Sequence, residues 1–381
     1  MRRIRPRTPG GRRRRDGGLP LAARARPVLR LAAAAALGAS LPAPGASQDA
    51  RPRNVVVMIA DGAGVAHWTL ARFAREDLAV GEFPVAGLVD TRGHDHVVTG
   101  SAAGATALST GTRTFFGAVA VGPDSTSLET ALEAARRGGM ATGLVTTASI
   151  ADATPAAFGA HAVSRDEQVS ILRQMIGLPV DVLMGGGRRV FEVAPERAGV
   201  DLWAEAAGRY EIVESREELE AIGSGSGAPL LGVFARGEMP LAAERSPSLP
   251  AMVGVALDRL ATSPEGFFLM VENEGTDSQA HNNADRDILV AEMLDFDDAV
   301  RLVLEYHHRD PRTLVVVTAD HETGGTSLVA GPGRIDTLRY ATGGHSAAFV
   351  PLFAVGPGAE RFGGLKENRE VGRLLLDAVR R

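Results

Sequence analysis

Six short apolar runs punctuate this chain, and none shows the strict polar alternation of a half-exposed strand. They are "NVVVMIA" (Asn54 to Ala60), "MATGLVTT", "VDVLMGGG", "GFFLMVENEG", "TLVVVTADH" and "VPLFAVGPG". A strand that is apolar on both faces must be buried on both, which points to a mostly parallel sheet covered by helices. Helical patterns lie between the runs: "SLETALEAARRGG" spaces its apolar residues along one helix face and stops at Gly138–Gly139. The fold class that follows is α/β, a doubly wound, mostly parallel central sheet with helices on both faces. In such sheets the ligand site lies beyond the carboxyl ends of the strands. Polar residues stand at those ends: Asp61 after the first run, then Asp152, Glu272 and Asp320–His321 after later ones.

The 381 residues are 45% hydrophobic, enough for such a core, and include no Cys. Without thiolates, any bound metal depends on His, Asp and Glu, a donor set that suits zinc, magnesium or manganese. Charge divides the chain. The first 50 residues hold eleven Arg against Asp16 and Asp49, while the remainder holds 30 basic and 44 acidic residues. An acidic body argues against a nucleic-acid scaffold. The Arg-rich start, the apolar stretch "LAAAAALGASL" from Leu31 to Leu41 and the small residues of "PAPGASQDA" follow the order of an export signal. About eleven apolar residues are too few to span a bilayer. Residues 1–46 are therefore expected to be a signal peptide, cut after Gly45 or Ala46, with a true start nearer Val28. Residues 51–381 are expected to form one catalytic domain, periplasmic or secreted, with no stable membrane insertion. Residues 200–250, charged and then Gly/Ser-rich through "GSGSG", are expected to be a surface insertion.

Singly, each candidate ligand also has a plain structural reading. Asp61 before Gly62 fits an ordinary turn. Asp277 and His281 in "DSQAH" stand one helical turn apart, which fits one shared ion or a surface pair. His345 in "GGHSAAF" fits a loop. His307 and His308 stand where a helix ends before "RDPR"; the helix dipole favours cations there, and both are read as structural. His67, His94, His96 and His161 are read as structural or as rim residues. Ser101, in "VVTGSAAGATALSTG", fits an N-cap. It also fits a nucleophile, because a helix N-terminus attracts phosphate and a nearby divalent ion can hold a hydroxyl oxygen as alkoxide. Thr99 stands where a G-x-S-x-G elbow needs Gly, which sets aside a Ser-His-Asp esterase.

Seven stretches, in order, resemble the alkaline phosphatase family: "MIADGAG", "VTGSAAGATAL", "ADATPAAFGAHAVSR", "VDVLMGGGRRVF", "VENEGTDSQAH", "VVVTADHETGG" and "GGHSAAFVPLFAVGPGAERFGG". The resemblance implies two zinc ions and one magnesium. Asp277, His281 and His345 are then ligands of the first zinc, and Asp61, Asp320 and His321 of the second. Asp61 also bridges to the magnesium, served by Asp152, Thr154 and Glu272. Ser101 is the implied nucleophile, forming a phosphoserine intermediate, and Arg165 the implied phosphate-binding guanidinium, whose planar fork suits two phosphate oxygens. Two metals about 4 Å apart suit an in-line displacement by clamping the attacking and leaving oxygens. Phosphate monoesters are the implied substrates, and family members are often homodimers. This sequence departs from the family at Gly100, commonly Asp; at Ser278, often Lys, His or Trp; and at Thr276, commonly Ile. The first two departures predict a looser Arg165 and weaker phosphate inhibition. The chain is also short for the family, which leaves residues 200–250 as its reduced peripheral addition.

Two other functions compete. A phosphodiesterase or sulfatase of the same superfamily tends to replace the Ser and to lack the Arg and third-metal set, and Ser101, Arg165 and the Asp152–Thr154–Glu272 group favour the monoesterase. A non-catalytic exported metal-binding protein predicts missing catalytic residues, yet both Ser101 and Arg165 are present.

Overall fold

Strands form where the apolar runs stand. Eight of them are β1 (Asn54–Ala60), β2 (Val85–Asp90), β3 (Ala141–Ser149), β4 (Val182–Gly186), β5 (Glu211–Val213), β6 (Leu230–Val233), β7 (Phe267–Asn273) and β8 (Thr313–Thr318). Two short antiparallel pairs follow: β9 (Glu322–Thr323) with β12 (His345–Ser346), and β10 (Ser327–Gly331) with β11 (Arg334–Arg339). The chain closes with β13 (Val350–Val355) and β14 (Gly364–Glu367). The computed structural model describes residues 51–222, 227–331 and 334–380, with backbone only at 330, 331 and 334–336. The expected signal peptide and most of "GSGSG" lie outside the described residues.

Ten strands make one sheet in the order β14-β2-β13-β8-β1-β7-β3-β4-β6-β5. Only β13 runs against its neighbours, β2 and β8; the other pairs are parallel. Strand β7 explains why its run lacks alternation. Phe268 stacks on Phe158 of helix Ala153–Gly159, with ring centroids 6.0 Å apart, while Phe267 meets Tyr306 of helix Arg286–Arg309 at 5.5 Å. Adjacent strand residues point to opposite faces, so a helix roofs each side. Burying either ring contributes about 1.5–3 kcal/mol, and every residue of β1 and β7 is buried.

Local signals end the helices as expected. Helix Ala131–Arg137 opens on a capping box between Thr130 and Glu133 and closes at Gly138. Helix Ser101–Thr110 is built from small residues, which lets it lie close to the end of β8. A Cβ at Gly104 would fall 2.7 Å from the Asp320 carbonyl oxygen.

Residues 200–250 differ from their expectation as a surface insertion. They supply β5 and β6, which extend the central sheet beyond β4, with Leu231 paired to Leu183 on one side and Ile212 on the other. These strands are three and four residues long, too short to stand out against the charged sequence around them. Among the described residues no helix is long and apolar enough to cross a membrane.

Candidate active site

Strands β8, β1, β7 and β3 are neighbours and deliver their carboxyl ends side by side. Asp61 follows β1, Asp320 and His321 follow β8, Glu272 lies near the end of β7, and Asp152 is the N-cap residue of the helix after β3. Strands about 4.8 Å apart bring such residues within reach of one another. Asp277 and His281 stand on helix Gly275–His281 just after β7, and His345 on β12.

Two groupings emerge. Ligand atoms of Asp61, Asp320 and His321 all lie within 4.8 Å of one another, and so do those of Asp277, His321 and His345. His321 thus faces both groups, although its sequence reading placed it in one. Its ring stacks on His345 at 3.7 Å between centroids. His281 joins the second group through Nε2, 3.2 Å from Asp277 Oδ2 and 2.9 Å from His345 Nε2. Backbone carbonyls orient both rings: His281 Nδ1 lies 2.8 Å from the Gly343 oxygen, and His345 Nδ1 2.7 Å from that of Thr99. With Nδ1–H donating, each Nε2 lone pair is left for a metal.

The donor set fits divalent cations on a direct observation. Asp61 Oδ1, Asp320 Oδ2, Glu272 Oε1 and Thr154 Oγ1 are buried and have no hydrogen-bond partner. Uncompensated buried carboxylates are costly, and four orphaned oxygens facing one region call for positive charge. The titration of these groups shows the same tension. Burial pushes the Asp61 carboxyl well up, and Asp320 and Asp277 push it further. Burial likewise raises Glu272 to about 8, against a hydrogen bond from Thr146 and with the Asp152 charge adding to the rise. Asp277 goes the other way: burial would raise it, but the hydrogen bond from His281 and the charge of His321 hold it well below the usual carboxylate range.

Ser101 is the first residue of its helix, and the N-cap position is Gly100, so its hydroxyl is not spent on capping. Ser101 Oγ lies 3.2 Å from His321 Nε2 and 3.5 Å from Arg165 Nη1. Arg165 Nη2 donates to both Asp152 oxygens at 2.9 Å. Asp152 therefore faces a guanidinium here, while Thr154 and Glu272 stay buried behind it.

The sequence reading passed over several supports. Thr323 Oγ1 hydrogen-bonds Asp277 and lies 3.2 Å from His321 Nδ1, so it orients one member of each grouping. Glu322 accepts from the Gly325 and Thr326 amides and from the Ser346 hydroxyl, and so ties β9 to β12 beneath His345. Both sit inside "TADHETGG"; Thr323, two positions beyond His321, was the available signal. Four of the remaining histidines have partners away from the two groupings. His67 Nδ1 accepts from the Gly64 amide, His161 meets Glu133, and His307 Nδ1 meets the Thr313 carbonyl. His96 pairs with Asp95 at the surface.

Comparison with known proteins places this geometry. The chain matches the alkaline phosphatase family over residues 52–334. It is 31% identical to alkaline phosphatase 3 of Bacillus subtilis, covering 86% of this chain and 89% of that protein. It is 36% identical to streptomycin-6-phosphate phosphatase of Streptomyces griseus, over 84% of this chain and 89% of that one. The structure of alkaline phosphatase from the Antarctic bacterium TAB5 superposes with a TM-score of 0.79 at 32% identity, covering 86% of this chain and 98% of that one; a variant of the TAB5 enzyme is described with Mg bound in its M3 site. With the sheet, the strand-end carboxylates and imidazoles, and these likenesses in agreement, the chain belongs to the alkaline phosphatase family and is a phosphate monoester hydrolase.

Proposed function

We propose that Ser101 is the nucleophile of this hydrolysis and that turnover passes through a phosphoserine. The observation that carries this reading is the Ser101 hydroxyl, free of capping duty, beside His321 and Arg165 at the edge of the orphaned carboxylate oxygens. Asp277, His281 and His345 would hold one zinc, and Asp61, Asp320 and His321 a second, since mixed nitrogen and oxygen donors suit that ion. Asp61, Asp152, Thr154 and Glu272, all oxygen donors, would hold magnesium. When bound, these ions supply the Lewis-acid charge that favours the ionised hydroxyl and the departing ester oxygen.

The chain's own residues then do the following. Arg165 grips two phosphate oxygens with its fork and balances their charge. Asp152 keeps that fork aimed. Ser101 Oγ forms a bond to phosphorus as the ester P–O bond breaks, and the alcohol leaves with the proton that Ser101 gave up. Water then displaces phosphate from Ser101 and restores the hydroxyl. The buried walls of β1, β7 and β8 keep the strand-end carboxylates away from bulk water, where charge interactions would weaken.

We read residues 51–381 as one catalytic domain, exported to the periplasm or beyond on the order of its Arg-rich, apolar and small-residue start, and homodimeric by the family resemblance. N-terminal sequencing of the native protein tests the export reading, and sedimentation equilibrium the dimer. For the site, Ser101→Ala is expected to keep its metal content and lose most turnover of p-nitrophenyl phosphate. Chelator is expected to abolish wild-type turnover, with the bis-ester and the sulfate poor substrates throughout. Full turnover in Ser101→Ala overturns the nucleophile assignment.

A further inference from the structure

We propose that Phe116 is a specificity-determining residue, its ring a landing surface for the aromatic alcohol portion of aryl phosphate monoesters. The inference rests on Ser101 being the nucleophile. Phe116 is 56% exposed, unusual for a large apolar side chain in this fold, and its position is not incidental. A Cβ at Gly100, the residue before Ser101, would fall 2.8 Å from Phe116 Cε2 and 3.0 Å from Cζ, and 3.6 Å from His345 Cε1. One edge of the ring thus lies against the backbone that presents the nucleophile, and much of the rest faces solvent.

The backbone fixes this placement. The Gly117 carbonyl accepts from the Arg165 amide at 2.9 Å, and Val119 and Ala162 exchange hydrogen bonds at 2.9 and 3.0 Å. The segment that carries Phe116 is therefore pinned to the segment that carries Arg165. On its other side the His94 amide donates to the Thr114 carbonyl at 2.9 Å, which brings up a second exposed stretch. There the His96 ring lies 6.0 Å from Phe116, and Val97 and Val98 are 70% and 38% exposed. An apolar rim with one aromatic face adjoins a site whose interior is charged.

Division of labour follows. Charged groups recognise the phosphoryl end, which all monoesters share. The alcohol end is left at the mouth, where an exposed ring rewards a second planar ring through offset or edge-to-face contact and removal of apolar surface from water. A short polyol offers neither. Gly100 belongs to the same device, because any side chain there would meet the ring.

The experiment uses the full, metal-loaded chain and two substrates, phenyl phosphate and glycerol phosphate. In Phe116→Ala the KM for phenyl phosphate is expected to rise about tenfold, the scale of one aromatic contact, with kcat within about twofold. The KM for glycerol phosphate is expected to stay within about twofold. Phe116→Trp is expected to keep the aryl preference and Phe116→Leu to lose most of it, which separates ring contact from loop support. Equal changes for both substrates, or none for either, overturn the proposal. Turnover surviving in Ser101→Ala would instead overturn the nucleophile reading, so the two failures are distinguishable.

Discussion

A single guanidinium nitrogen of Arg165, Nη2, donates to both carboxylate oxygens of Asp152 at 2.9 Å, while Nη1 reaches within 3.5 Å of Ser101 Oγ. The absence of an acid at position 100 led to the expectation of a loosely held Arg165. Asp152 instead supplies the carboxylate, from a position where helix Ala153–Gly159 fixes its backbone.

The fork carries a direct consequence. A Lys at 165 offers a point charge on a flexible stem and cannot contact Asp152 and two phosphate oxygens together. Arg165→Lys is therefore expected to lower kcat/KM for a phosphate monoester at least about tenfold, equivalent to about 1.4 kcal/mol of transition-state binding. Steady-state kinetics against wild type is the measurement, and an unchanged kcat/KM rules the assignment out.

A second test lies beneath helix Gly275–His281. Arg245 and Glu292 are both 1% exposed in their side chains and pair at 2.8 Å, with Asp295 joining at 2.6 Å. Glu292 also lies directly under the helix that carries Asp277 and His281, since a Cβ at Gly275 would fall 2.3 Å from its Oε2. Removing the cation strands a buried carboxylate. Arg245→Met is expected to cost about 3–5 kcal/mol in urea unfolding, and Arg245→Met with Glu292→Leu to recover part of that loss. A single variant as stable as wild type would sink this account.

These features divide according to what a linear pattern can carry. The parallel sheet was legible because a strand buried on both faces has to be apolar throughout, as β1 and β8 are. The strand-end acids were legible because in a parallel sheet candidate ligands gather at the carboxyl ends. Strands β5 and β6 were not, being too short to show a period, and β2 alternates as a partly exposed strand near the sheet edge does. Arg245 and Glu292 lie 47 residues apart and meet only through packing that no local spacing announces. Thr323 was visible as a residue but not as a support, because its partner Asp277 arrives from 46 positions away.

Titration offers a third test, well away from the proposed metal ligands. His161 has an acceptor on each ring nitrogen: the Ala120 carbonyl at 2.9 Å from Nδ1 and Glu133 Oε1 at 3.0 Å from Nε2. Both nitrogens can donate only in the imidazolium form. Hydrogen bonding to Glu133 accordingly raises the His161 pKa above its ordinary value, against the effect of burial. For Glu133, burial would raise the pKa, but the bond from His161 brings it below. A raised imidazolium pKa contributes stability that is complete below about pH 6.5, the unfolded value, and is lost as pH rises through the folded value. The depressed carboxylate contributes fully above about pH 4.3, the unfolded value, and that contribution is lost as pH falls through the folded value. His161→Gln is thus expected to cost about 1 kcal/mol at pH 6 and distinctly less at pH 9. Urea melts of both proteins in one metal buffer measure the difference, and a penalty that does not change between the two pH values contradicts it.

Product release provides the last test. Ser278, next to Asp277, donates through Oγ to Glu274 Oε1 at 2.5 Å and lies 3.3 Å from Glu238 Oε2. Burial pushes the Glu274 carboxyl well up, and the Glu238 charge adds to it, so this side of the site is short of positive charge. Inorganic phosphate carries negative charge at working pH, and each missing cation weakens its hold by an amount that salt screens. Ser278→Lys places an ammonium beside Glu274 and Glu238 and next to Asp277, reducing the net negative potential there. Its competitive inhibition constant for phosphate is expected to fall about three- to tenfold at low salt, and the difference from wild type to shrink as ionic strength rises. Identical inhibition constants for the two proteins at low salt would mean that position 278 does not set product affinity.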